Sequence, residues 1–189
     1  MRIVGGRLRG RALKPPATQT VRPTSDRLRE AIFNMLAHAY GDPADGGRVI
    51  DLFAGTGALG LEALSRGARF ALFVDDSVEG RALVRDNAET LGLTGVSKIF
   101  RRDATNLGAM PPQDQFTLAF LDPPYGRDLA PLALASLRDG GWLANGAIVM
   151  VEESAKTVFA APEGYEVLDR REYGDTQVVF LRYGSSDKR

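Results

Sequence analysis

The stretch Asp51-Leu52-Phe53-Ala54-Gly55-Thr56-Gly57-Ala58-Leu59-Gly60 joins a strand to a helix. Arg48 to Phe53, which overlaps its start, is a strand candidate carrying the apolar Val49, Ile50, Leu52 and Phe53. Gly55 to Gly60 then repeat as G-x-G-x-x-G, a spacing that permits positive φ and close approach of backbone to a ligand and to the neighbouring strand. Working outward, strands are predicted at 48–53, 70–75, 96–101, 116–121 and 146–152. Helical segments near 57–66, 77–91 and 128–139 lie between them, with a short turn near 104–109. This alternation predicts an α/β domain, a parallel sheet wrapped by helices. After Pro162 the segments Tyr165 to Tyr173 and Thr176 to Tyr183, separated by Gly174-Asp175, read as an antiparallel hairpin.

Ahead of this domain, which is assigned to residues 48–184, stands an extension over residues 1–40 and a Gly/Asp/Pro-rich linker from Gly41 to Gly47. Residues 2–14 read as a hairpin, with Gly5-Gly6 supplying a tight turn and Arg7, Arg9 and Arg11 sharing one face. A helix follows to about Ala39, capped by Thr24 or Ser25, with Asp26 and Glu30 near its positive end. Its apolar stripe is Leu28, Ala31, Ile32, Met35, Leu36 and Ala39; His38 beside the stripe reads as structural.

Net charge is zero, but residues 1–29 carry a surplus of seven positive charges and the remainder an equal negative surplus. A basic arm on an acidic body suits a polyanionic partner, because neutralised phosphates release counterions. Arg7, Arg9, Arg11, Arg22, Thr24 and Arg27 are the candidate contacts to it. There is no cysteine and one histidine, so disulfides, thiolate or histidine metal sites and a cysteine nucleophile are disfavoured. No apolar run nears the roughly 20 residues of a membrane span and the Arg-rich N-terminus lacks an apolar h-region, so a cytoplasmic protein is expected.

The glycine loop also fits a nicotinamide dehydrogenase, since Asp75 ends the second strand where a ribose acid would stand. Asp51 decides between the readings. Beside a pyrophosphate its carboxylate would be repulsive by about 4 kcal/mol, for unit charges about 4 Å apart at an effective dielectric near 20. Beside the ammonium and sulfonium of S-adenosylmethionine it is attractive. The chain also has no histidine downstream of the loop to relay a proton from an alcohol. Three acids at the ends of three consecutive strands then fit the methyl donor: Asp51, Asp75 (with Asp76 able to replace it at the ribose) and Asp103 toward the adenine amine. The candidate donor-binding set is Asp51, Phe53, Ala54, Gly55, Thr56, Gly57, Asp75, Asp76, Asp103 and Ala104. The competing explanation for Asp75, Asp76 and Asp103 is helix capping.

Asp122-Pro123-Pro124-Tyr125 follows the strand 116–121. Two prolines end the ladder and stiffen the corner, presenting a carboxylate, bare carbonyls and an aromatic ring at the carboxyl end of a strand, where α/β sheets bind ligands.

Together these residues resemble the class I S-adenosylmethionine-dependent methyltransferases. Asp122 to Tyr125 is similar to the [Asn/Asp]-Pro-Pro-[Tyr/Phe] motif of enzymes that methylate exocyclic amines. Arg2-Ile3-Val4-Gly5-Gly6, Arg9-Gly10-Arg11, Arg22 to Glu30, Gly57 to Gly67 and Gly141-Trp142-Leu143 resemble the RsmD family. The resemblance implies a Rossmann-like fold with a seven-stranded, mostly parallel sheet, an antiparallel C-terminal hairpin and a small N-terminal hairpin and helix. It implies transfer of a methyl group from S-adenosylmethionine to the N2 of a guanine (the guanine 966 type) in 16S ribosomal RNA of the small subunit or its assembly intermediate. Asp122, Pro123, Pro124 and Tyr125 would be the catalytic residues, with no metal, and a monomer is expected. Adenine-N6 methylation of nucleic acid is the alternative, since the same corner serves either amine; an RNA-binding protein without activity is a third reading.

Overall fold

A computed structural model describes residues 1–17 and 24–184. Within them the order is α1 (Asp26–Ala39), β1 (Arg48–Leu52), α2 (Ala58–Ser65), β2 (Phe70–Val74), α3 (Val78–Thr90), β3 (Ser97–Phe100), β4 (Phe116–Leu121), α4 (Leu129–Asp139), β5 (Leu143–Ser154), β6 (Tyr165–Tyr173) and β7 (Thr176–Tyr183). These strands form one sheet ordered β3-β2-β1-β4-β5-β7-β6. The first five are parallel, and β7 runs antiparallel between β5 and β6. Chain direction across the sheet reverses between β1 and β4, so a crevice opens beyond their carboxyl ends.

Strand residues alternate between two apolar layers. Val49, Phe73, Phe120, Met150 and Phe180 meet α1, α2 and α3, while Ile50, Val74, Leu121, Val151 and Leu181 meet α4. Both faces are covered, which is why the strands read as continuous apolar runs. Asp51 lies on the first face among apolar neighbours, and the register that pairs Leu121 with Val151 brings Asp122 beside Glu152 when continued by one residue.

Three expectations from the sequence need correction. Residues 2–14 do pair antiparallel, but only around one bridge, Arg2 with Ala12, flanked by Ile3 N–H to the Arg11 carbonyl at 2.9 Å and Leu13 N–H to the Met1 carbonyl at 3.0 Å, and the chain reverses at Arg7 to Gly10, not at Gly5-Gly6. Gly5 and Gly6 serve docking on α2 instead of a two-residue turn: a Cβ on Gly6 would stand 2.0 Å from the Ser65 carbonyl oxygen, and one on Gly5 2.4 Å from the Arg66 guanidinium. Arg7 to Gly10 lie in turns, where strand alternation does not apply, and Arg7, Arg9 and Arg11 are exposed. β5 starts at Leu143, earlier than its predicted start at 146, because the turn-like Asn145-Gly146 is absorbed where the β4–β5 register shifts. No helix follows Asp103.

In α1 the cap is Ser25, whose hydroxyl accepts from the Leu28 N–H, and Thr24 turns inward. The buried stripe is centred on Ile32, Phe33 and Leu36 and includes Arg29; Ala39 and His38 are exposed. Arg29 is fully buried because it is paired: Nε meets Glu62 at 3.2 Å, Nη2 meets Asp26 at 2.8 Å and the Arg2 carbonyl, and Nη1 donates to the Thr24 carbonyl at 3.2 Å. Glu62, also fully buried, accepts the N–H groups of Val4 and Gly5, each at 2.9 Å, and Arg66 Nε at 3.0 Å. The N-terminal arm is thus tied to α1 and α2 by buried charge, and Ile3 and Leu13 join the same core. Among the described residues no helix is long and apolar enough to cross a membrane.

Candidate active site

The carboxyl ends of β1, β2, β4 and β5 surround one cavity of about 530 Å³, within the size range of ligand pockets. Asp51 and Asp122 both line it. On the β1 side, Phe53 adopts φ 57°, costly for a bulky residue, and Gly55 and Gly57 adopt φ 58° and 79°. This sequence of left-handed residues folds the loop over the sheet edge. The loop is pinned by Asp75, whose Oδ2 accepts from the Gly55 N–H at 2.9 Å, and by Asn87, whose Nδ2 donates to the Thr56 carbonyl at 3.0 Å. Asn87 Oδ1 also accepts from the Lys14 N–H at 2.7 Å, linking the arm to the loop. At Gly60 a Cβ would stand 2.4 Å from the Phe73 ring, so the helix can approach β2 only with glycine there.

Asp51 is 1% exposed and its Oδ2 accepts from the Gly60 N–H at 3.0 Å. Burial pushes its carboxyl up to about 8; the Gly60 bond pulls it back and the nearby Asp75 charge adds to the rise. Asp75 Oδ1 accepts from Ser77 N–H and Oγ at 2.9 and 2.7 Å, while Asp76 is exposed on the same cavity wall. Asp103 Oδ1 accepts from Thr105 N–H and Oγ1 at 2.8 and 2.7 Å, closing a local turn, and Ala104 lies beside it on the wall. Nine of the ten residues expected around a donor line this cavity; Gly57 does not and acts through its backbone, as the left-handed residue ahead of α2.

Opposite stands the proline corner. Pro123 is buried and Pro124 exposed. Tyr125 is half-buried, its hydroxyl 2.7 Å from Thr176 Oγ1 at the start of β7, which fixes the ring as a wall of the cavity. Thr24 Oγ1 donates to Glu152 Oε2 at 2.8 Å and lies 3.3 Å from Asp122 Oδ2. One hydroxyl carries one proton, so it cannot satisfy two ionised carboxylates at once. Desolvation, followed by the Glu152 charge, holds the Asp122 carboxyl well above the usual carboxylate range, with Asp51 adding to the rise and the Thr24 bond opposing it.

Of the cations expected to face a polyanion, Arg7, Arg9 and Arg27 are exposed, and Arg11 Nη2 donates to the Thr90 carbonyl at 2.9 Å. Arg22 lies outside the described residues. Thr24 sits in the cavity and not on the outer surface, and Arg29 is neutralised inside the protein. Sequence reading missed Glu152 and Arg102 as lining residues. The signal for Glu152 was available: an acid at the carboxyl end of the parallel strand next to β4.

The cavity fits S-adenosylmethionine by its donor set. Burial holds the Asp51 proton up to about 8, with no cation among the described residues acting on it, and an ammonium or sulfonium would supply one. Asp76 and Asp103 line the same cavity, and carboxylates accept hydrogen bonds from hydroxyl and amine groups.

A family model described as conserved hypothetical protein 95 matches residues 1–182. Ribosomal RNA small subunit methyltransferase D of Escherichia coli is 38% identical over 157 residues, covering 82% of this chain and 76% of that protein. YlbH of Bacillus subtilis is 36% identical over 185 residues, covering 96% of this chain and 98% of that one. The structure of yhhF from E. coli superposes with a TM-score of 0.82 at 31% identity, covering 98% of this chain and 99% of that one.

Proposed function

The chain belongs to the RsmD family of ribosomal RNA methyltransferases, and on that premise we propose that it methylates the exocyclic N2 of a guanine in 16S ribosomal RNA with S-adenosylmethionine as donor. The observation that carries this reading is the shared cavity: a buried acid ahead of the glycine loop on one side and a proline-stiffened acid and ring on the other. Asp51 is the counter-charge for the donor's cationic end, Asp75 and Asp76 meet the ribose, and Asp103 with Ala104 meets the adenine. Bound S-adenosylmethionine supplies a methyl group made electrophilic by its sulfonium.

The chain's own residues prepare the amine. Its lone pair is delocalised into the guanine ring, so orientation counts for more than basicity. Asp122 and the Pro123 carbonyl accept the two N2–H bonds, which directs the lone pair toward the donor side of the cavity. Tyr125 stacks on the base, worth about 1–3 kcal/mol by comparison with other base–aromatic pairs. The base must leave its stack to reach the corner. Once ionised, Asp122 is a better proton acceptor than an ordinary aspartate, since its environment favours the protonated form. Arg7, Arg9, Arg22 and Arg27 hold RNA phosphates, in a small subunit or its assembly intermediate in the cytoplasm.

The test is product analysis. Small subunits lacking the modification are incubated with full-length protein and labelled donor, and their RNA is digested to nucleosides. N2-methylguanosine is expected. N6-methyladenosine as the labelled product would overturn the assignment in favour of the adenine alternative.

A further inference from the structure

Glu152 has no part in the scheme above, yet it is 6% exposed and lines the cavity beside Asp122. Parallel strands lie about 4.8 Å apart, and the β4–β5 register places these two carboxyl groups on neighbouring strands and the same face. Both are within reach of Thr24 Oγ1, at 2.8 Å for Glu152 and 3.3 Å for Asp122. Thr24 is itself fixed, because Arg29 Nη1 takes its carbonyl at 3.2 Å. Glu152 Oε2 is therefore oriented by a hydroxyl whose own backbone is anchored to the buried Arg29–Glu62 pair. An ionised carboxylate has about four lone-pair sites, so it can accept from protein groups and from a ligand together.

Two adjacent acceptors match one base edge better than the others. Guanine presents N1–H and N2–H side by side, both donors. Adenine and cytosine present an amine next to a ring nitrogen that is an acceptor. We propose that Glu152 accepts the N1–H of the target base while Asp122 accepts its amine, so that Glu152 selects guanine over adenine and Thr24 positions it. The proposal rests on the reading of this cavity as a base-amine methylation site and names the group that sets its substrate. With adenine in the same pose, the Glu152 carboxylate would face the N1 lone pair, acceptor against acceptor with no hydrogen between them.

The test replaces the target guanine by 2-aminopurine, which keeps the 2-amino group and has no N1–H. Small subunits are reconstituted from ligated 16S RNA carrying either base at the position the protein methylates, and kcat/KM is measured with labelled S-adenosylmethionine. The wild-type protein is expected to prefer guanine by about 100-fold, within the 1–3 kcal/mol discrimination of a good base-edge contact. Glu152→Gln, whose amide can donate to N1, is expected to bring the preference below about tenfold with donor affinity unchanged by calorimetry. A wild-type preference near one overturns the proposal without any variant. So does a Glu152→Gln protein that binds the donor normally, loses activity equally on both bases and keeps the wild-type preference, since that is the behaviour of a merely structural residue. Failure of the underlying reading is a different result: no N2-methylguanosine on the guanine-bearing particle, which removes this proposal with it.

Discussion

Asp51→Asn isolates the charge on which the donor assignment depends. The amide oxygen can still accept from the Gly60 N–H, now accepted by Asp51 Oδ2 at 3.0 Å, so the loop keeps its anchor and only ionisation is lost. With the carboxyl pushed up to about 8, roughly one molecule in ten is charged at pH 7 and one in a hundred at pH 6. A cationic donor that requires the charged form therefore binds about tenfold more tightly at pH 7 than at pH 6, releasing close to one proton per molecule at pH 7. The variant should bind more weakly at pH 7, show no such gradient and release no proton. Stability gives an independent reading. The folded carboxyl lies above its unfolded value, so its contribution is full below about pH 4 and is lost as pH rises toward about 8. Ligand-free wild type should lose about 2–3 kcal/mol between pH 5 and 7 from this group, a decline the asparagine protein lacks. Titration calorimetry in two buffers of different ionisation enthalpy, with urea unfolding at both pH values, measures each effect. A flat wild-type affinity with no proton release, or an asparagine variant indistinguishable from wild type, would refute the electrostatic reasoning.

Glu62→Ala should cost about 3–5 kcal/mol in urea unfolding, because it removes the fully buried partner of Arg29, leaving it only the half-exposed Asp26, and the acceptor of two N–H groups of the arm; a loss under about 1 kcal/mol would mean the hub is not what holds the arm. Since Asp122 is held above the usual carboxylate range, single-turnover methyl transfer should rise with pH through a raised acid limb, which Asp122→Asn should abolish. A pH-independent wild-type rate would count against Asp122 as proton acceptor. Replacing Arg7 and Arg9 by alanine should weaken RNA binding and reduce the slope of log affinity against log salt by about two, with donor affinity intact. An unchanged slope would take these exposed arginines out of the RNA interface.

Much of the fold was legible because parallel strands buried on both faces write themselves as apolar runs, and Asp51, Asp75, Asp103 and Asp122 end those runs where the crevice opens. The C-terminal hairpin was marked by Gly174-Asp175 between alternating segments, and the structure pairs β6 with β7 there. The failures share a cause: tertiary contacts that local chemistry does not announce. Gly5-Gly6 looks like a hairpin turn, but its lack of side chains is used by Ser65 and Arg66. Thr24 and Ser25 are equivalent as caps from sequence alone, and only the packing of α1 sends one to the helix and the other to Asp122 and Glu152. Arg29 read as part of a basic arm because nothing nearby in sequence reveals that Glu62 waits for it. Glu152 was passed over as the polar end of a strand, although strand register alone would have set it next to Asp122.

The central claim is that one cleft brings a cation-bound donor and a base amine together, with Asp122 acting on the amine side alone. Methyl transfer to unmodified small subunits by Asp122→Ala, measured under single turnover beside its donor affinity, tests it most directly. The account predicts a rate at least about 100-fold below wild type with donor affinity unchanged within about twofold. Wild-type transfer by the variant, or loss of donor binding equal to the loss of rate, would contradict it.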